Sequence, residues 1–196
     1  CGKQIIGEAM IRPEFRKLLM DQRGAAVILS SFFTISIVIY IVIAHNVLAN
    51  PNYALVLSFA ETARIVFWIL VLVDLGYYFF WKKRYLTPAA ILHNSQKTKL
   101  FRALQNYKGP VEERAAAVVS TFVTRKVVIF AIIEAIAVYG LVLAIVGRYL
   151  SDQYLLSALS LILLTLEFPG QRVLESLLQQ IEGRPNEIRP QEAQAT

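Results

Sequence analysis

Four ionisable residues stand inside long apolar stretches of this chain: Glu61, Arg64, Asp74 and Glu134. An ionisable group at membrane depth costs at least about 2.5–3.5 kcal/mol, so it is normally paired and turned toward protein or water. Such a group can form a polar latch with an opposite charge, or it can bind and pass on a proton or a cation. Glu61 and Arg64 are three residues apart and share a helix face, so they can pair with each other. With the second apolar stretch starting at Tyr53, Arg64 lies 11 residues inside it, about 16 Å by helical rise. Glu134 lies nine residues beyond Arg125, about 13 Å. In a hydrocarbon core about 30 Å thick these depths are similar, so Arg64 and Glu134 are expected to approach each other. Asp74 lies nearer the basic end and can reach Arg125 and Lys126. The four are expected to form a buried ionisable network.

Other chemistry is hard to find. There is no His-Glu-x-x-His zinc motif, no Gly-x-Ser-x-Gly elbow and no phosphate loop. The single cysteine, Cys1, excludes an intrachain disulfide and a cysteine metal cluster. No catalytic residue, metal or cofactor is therefore expected. Cys1-Gly2 looks like the start of a mature bacterial lipoprotein; the alternative is a processed or truncated end, with Met10 or Met20 as the natural start.

The elements that must hold the four charges are membrane spans. The chain has 196 residues, of which 56% are hydrophobic and 17% charged. A typical soluble domain is about 25% charged. Gly24 to Leu48 is 25 residues without a charge, more than the ~20 a bilayer core needs. Asn46, Asn50, Pro51 and Asn52 read as a turn. A second span follows from Tyr53 to Trp81, a third from Val127 to Gly147, and a fourth, shorter, over 152–168, capped by Ser151 or Asp152 and ended by Glu167 and Pro169. Ser30, Ser31, Thr34 and Ser36 in the first span, and the notch at Tyr139 and Gly140 in the third, are small or polar features that let helices pack closely. The expected fold is all-α, an integral membrane four-helix bundle with short amphipathic cytoplasmic helices, forming one domain over 1–182 with a disordered tail over 183–196.

Charge placement gives the topology. Residues 1–23 carry five bases and segment 82–126 carries ten, whereas the two short turns carry only Arg148. Basic segments stay cytoplasmic. Both termini and the central loop are therefore expected inside a bacterial inner membrane. Tyr77 to Trp81 form an aromatic belt, and Lys82, Lys83, Arg84, Arg125 and Lys126 form a collar expected to contact the anionic inner leaflet. His45 and His93 then fall on opposite sides and cannot bracket a haem.

Three further stretches are amphipathic: Arg12 to Met20 (Phe15, Leu18, Leu19), Lys97 to Tyr107 (Leu100, Phe101, Leu104), and Val173 to Ile181 (Leu174, Leu177, Leu178). Each can lie on the inner leaflet or pack on the chain itself or on a partner subunit. Gly109-Pro110 with Glu112-Glu113 reads as a helix start that can run on into the third span. The basic segment 97–108, with Phe101 and Tyr107, suits lipid phosphates better than nucleic acid.

The run Glu134-Ala135-Ile136-Ala137-Val138-Tyr139-Gly140-Leu141-Val142-Leu143-Ala144 resembles the carboxylate helix of the rotary ATP synthase ring subunit, the proteolipid. The resemblance covers 11 residues and implies that Glu134 is the position that would bind a transported proton or sodium ion. The chain as a whole is similar to small bacterial inner-membrane proteins of four spans, which implies no activity. The expected function is a non-catalytic accessory or structural subunit of a larger membrane complex, with partner subunits or copies of itself. The alternatives are an ion- or proton-conducting element built on Glu134, and a lipid-handling protein.

Overall fold

The computed structural model describes residues 11, 13–50, 58–93 and 110–183. The readings made for Cys1, Arg12, Pro51 to Leu57, segment 97–108 and the tail beyond Gly183 lie outside them. Among the described residues every regular element is a helix: α1 (Pro13–Ala49), α2 (Ala60–Tyr85), α3 (Pro88–His93), α4 (Pro110–Gly147), α5 (Leu150–Leu166) and α6 (Gln171–Gly183). Three of these, in α1, α2 and α4, are long and apolar enough to cross a membrane. The apolar α5 has 17 residues, about 26 Å by helical rise, at the short end of the spanning range.

The boundaries differ from the sequence expectation in ways that matter. α1 opens on Pro13, whose fixed φ suits a first helical turn, so the basic stretch and the uncharged stretch form one helix. α4 opens on Pro110 with Glu112 and Glu113 in its first turn, where the helix dipole favours acids, and it continues unbroken to Gly147. α2 begins at Ala60 rather than Tyr53. α5 is preceded by Tyr149, without a side-chain cap bond, so neither Ser151 nor Asp152 caps it. The α4–α5 turn is closed by Arg148 in the left-handed region at φ 59°, with its N–H donating to the Ala144 carbonyl at 3.0 Å. This is a left-handed helix cap in which Arg stands where glycine is usual.

The sequence suggests one domain over 1–182, whereas the structure has two compact units. Unit 1 comprises 1–25, 87–124 and 169–196; unit 2 comprises 26–86 and 125–168. In unit 2, Phe33 of α1 meets Phe130 of α4 at 6.0 Å between ring centres, and Phe67 of α2 meets Tyr139 of α4 at 5.5 Å. Ile37, Val71, Tyr78, Phe130, Ile133, Ile136, Leu143, Leu156 and Leu164 belong to one buried cluster. Only 17% of the most apolar stretch of α1 and 11% of that of α2 is buried, against 44% for α4. The other two helices therefore turn most of their apolar surface outward.

α4 and α5 approach closely at Gly140. A Cβ added to Gly140 would stand 2.6 Å from Gln153 Oε1, 3.2 Å from the Gln153 Cα and 3.2 Å from the Leu156 Cβ. One turn further on, Ser160 donates to the Ile133 carbonyl at 3.0 Å. In α1 the hydroxyls of Ser31 and Thr34 donate back to the carbonyls of Val27 and Ser30, both at 2.9 Å. Such back-bonding satisfies a hydroxyl that an apolar setting would otherwise penalise.

Unit 1 has its own apolar interior. Leu19, Ile91, Val111, Ala115, Val118, Val119, Phe122, Leu174, Leu177, Leu178 and Ile181 are all buried. Of the alternatives the amphipathic stretches leave open, the α6 stretch takes packing on the chain itself. The α6 stripe is covered by the chain itself, with only Val173 of the apolar set exposed. Arg16 Nη1 of α1 lies 3.6 Å from Glu182 Oε2 of α6.

Candidate functional site

One face of α2 carries the site. Arg64 and Lys82 are 18 residues apart, five turns at 3.6 residues per turn, and so point the same way. Between them Val71 and Tyr78 are buried on that face. Both ends of the stripe meet acids that bracket α5.

At the first end, Arg64 Nε donates to Asp152 Oδ2 at 2.6 Å and Arg64 Nη2 donates to Asp152 Oδ1 at 3.0 Å. This is the two-pronged Arg–carboxylate geometry, the most directional form of ion pair. The guanidinium also lies 4.7 Å from the centre of the Tyr149 ring. Asp152 is buried and Arg64 half-exposed.

At the other end, Glu167 is 3% exposed and fully engaged. Its Oε1 accepts from the Tyr78 hydroxyl at 2.6 Å and from Lys82 Nζ at 2.5 Å. Its Oε2 accepts from Lys126 Nζ at 2.5 Å, and Lys126 also donates to the Glu167 carbonyl at 3.1 Å. Beside this cluster Arg125 donates to the Tyr85 carbonyl at 2.5 Å, closing an orphan acceptor at the end of α2. A buried carboxylate already holding three donors, two of them ammonium groups, is stabilised in its charged form, and that suits a clamp better than a catalytic base.

These pairs correct the expected ones. Arg64 meets Asp152, not Glu134, because α2 starts at Ala60. Arg64 is then four residues from the helix start, about 6 Å by rise rather than 16 Å. Glu61 is exposed, and Arg64 turns to Asp152 instead of to it. Glu134 is half-buried and accepts from the Tyr40 hydroxyl of α1 at 2.8 Å. Asp74 is half-buried and hydrogen-bonds with Tyr139, while Arg125 and Lys126 are engaged elsewhere. The four charges therefore do not form one buried network. The buried acids and bases among the described residues are Glu112, Lys126, Asp152 and Glu167.

The collar is divided in the same way. Lys82 and Lys126 turn onto Glu167 and Arg125 onto a backbone carbonyl, so of the five expected leaflet contacts Lys83 and Arg84 are the ones left exposed without such a partner among the described residues. Tyr139 and Gly140 do lie at helix contacts, Tyr139 on Phe67 and Gly140 on α5.

Asp152 and Glu167 were the residues that sequence reasoning missed as partners. Both look like helix-end residues, which is what they also are. The available signal was the spacing: acids 15 residues apart, in the first turn and at the end cap of α5, facing bases 18 apart on α2, separations of about 22 and 27 Å. Among the described residues no group of three or more His, Cys, Asp or Glu could hold a metal ion.

The partner assignment has a direct test in double-mutant cycles on thermal unfolding in mild detergent. Arg64→Met with Asp152→Asn should lose less stability together than the sum of the single losses, because each single variant leaves its partner unpaired. Arg64→Met with Glu134→Gln should be additive. Coupling in the second cycle and none in the first would contradict the geometry described.

No protein-family model, curated protein or solved structure matches the chain.

Proposed function

We propose that the chain is a membrane protein of four spans, provided by α1, α2, α4 and α5 as a four-helix bundle, and that it serves as a non-catalytic structural or accessory subunit of a larger complex in a bacterial inner membrane. One observation carries the membrane part. Of the large hydrophobic side chains exposed among the described residues, all but Val173 belong to unit 2. In that unit Asp152, Gln153, Ser157 and Ser160 of α5, and Glu167 directly after it, are buried while Leu155, Ile162 and Leu166 face outward. Apolar outside with polar inside is the pattern of a helix set solvated by lipid, where small and polar residues mediate helix contacts. Unit 1 shows the opposite pattern, with buried leucines and exposed Arg172, Gln179 and Gln180 on α6, and suits water.

The structural role rests on how the span charges are used. Arg64 and Asp152 fasten one end of α2 to α5, and Lys82, Lys126 and Glu167 fasten the other. By the excess of basic residues on segments 1–23 and 82–126, the Glu167 end belongs on the cytoplasmic side. The experiment is gentle solubilisation from the native membrane followed by native mass measurement. Co-purifying subunits or a defined homo-oligomer are expected; a stable lone monomer would overturn the subunit assignment.

A proton- or ion-conducting role is the second reading, favoured by Glu134 meeting a tyrosine rather than a base. If the purified protein dissipates a proton or sodium gradient in liposomes and Glu134→Gln abolishes this, the second reading replaces the first.

A further inference from the structure

We propose that Phe80, Lys83 and Arg84 form a binding site for the phosphate of an anionic membrane lipid. The proposal rests on the membrane-spanning reading and names the ligand class of one place on that surface.

A cavity of about 310 Å³ opens beside these three side chains at the end of α2. Lys83 and Arg84 lie three and four residues beyond Phe80, so all three share one helix face. Lys83 and Arg84 are exposed, and among the described residues no acid pairs with either. Their neighbours in the collar differ, because Lys82 and Lys126 are spent on Glu167 and Arg125 on the Tyr85 carbonyl. The collar thus has an inward half that neutralises a buried acid and an outward half with cationic donors open to a ligand.

The apolar side of the site fits a lipid better than a free ion. Phe80 is 54% exposed and Phe79 62% exposed. The Phe80 ring stacks on Tyr77 at 6.3 Å and meets Tyr85 edge-on at 6.5 Å. Aromatic rings sit naturally at headgroup depth. A phosphodiester held by the Arg84 fork and the Lys83 ammonium would place its acyl chains along the exposed rings. A free phosphate would use the two cations and leave the rings unused.

The test uses the full chain in nanodiscs of phosphatidylcholine with a minor fraction of phosphatidylglycerol, with the lipids retained on detergent extraction identified by native mass spectrometry. The wild type should retain phosphatidylglycerol over phosphatidylcholine. Lys83→Gln with Arg84→Gln should weaken that preference about 30-fold, the product of two single-charge contributions of ordinary size. Arg148→Gln, at the far end of the helices, should leave it unchanged. Circular dichroism of the double variant should match the wild type, since among the described residues neither side chain holds an ion pair. Equal retention of both lipids by an inserted wild-type protein would overturn the lipid site and leave the membrane reading standing. Failure to insert into either membrane would overturn both. Displacement of phosphatidylglycerol by inorganic phosphate, but not by chloride at matched ionic strength, would assign the cations to a soluble anion and overturn the lipid assignment.

Discussion

Glu167→Gln is expected to lower the unfolding midpoint in mild detergent by about 6–12 °C, from a loss of about 3 kcal/mol. Glu167 is 3% exposed and the Lys126 side chain 11%. Removing the carboxylate charge takes from the Lys126 ammonium a counter-charge in direct contact with it, and breaking a buried ion pair by removing one partner costs about 3–5 kcal/mol. The low end applies because Gln still accepts hydrogen bonds and because Lys82, with a side chain 49% exposed, can turn to water. Lys126→Met should cost less, since Glu167 would keep Lys82 and Tyr78. The pair Glu167→Gln with Lys126→Met should be more stable than Glu167→Gln alone, because the buried ammonium is removed together with its counter-charge. A double variant worse than that single variant would show that the cluster stabilises by something other than charge compensation.

Gly140→Leu is expected to be the most damaging single change at a helix contact. Gly140 faces the backbone of α5, with the Gln153 Cα only 3.2 Å from where a Cβ would stand. Backbone cannot step aside as a side chain can, so a larger residue must part α4 from α5. Even Gly140→Ala sets two effects against each other. Ala gains about 1 kcal/mol of helix propensity over Gly, while overpacking a tight contact costs about 1–3 kcal/mol, so a net loss of up to about 2 kcal/mol is expected. Leu adds the same first cost and far more volume, and should exceed it. Gly76→Ala is the matched control: nothing lies within 4 Å of a Cβ there, so only the propensity gain remains and stability should hold or rise. Thermal melts of the three variants in one detergent decide this. A Gly140→Leu protein as stable as Gly76→Ala would refute the close approach.

The legible parts of this chain were those that depend on one residue at a time or on local spacing. The uncharged stretch Gly24 to Leu48 dictates a helix because no other arrangement satisfies its backbone in an apolar setting. The helix start at Pro110 with Glu112 and Glu113 is readable because Pro and acids favour a first turn whatever surrounds them. The Gly140 notch is readable because a small residue beside Tyr139 in an apolar helix is useful for little besides close packing.

What failed were inferences that needed a boundary or an azimuth. Assigning Tyr53 as the start of the second span put Arg64 about 10 Å too deep, and the error propagated into the pairing with Glu134. The amphipathic stripe of α6 could be matched to a leaflet or to protein equally well, since an apolar stripe has the same composition in either case. Its burial with Leu19 and Phe122 in unit 1 is a matter of which elements the chain brings together.

The sequence by itself determined the helical class, the positions of the long apolar helices and the uneven placement of positive charge, because hydropathy and charge are sums over neighbours in the chain. Only the tertiary structure decided the partners. Lys82 and Lys83 are adjacent and chemically alike, yet one closes on Glu167 and the other faces outward. The 100° turn between successive helical residues separates their roles, and the neighbouring helices determine which direction is inside.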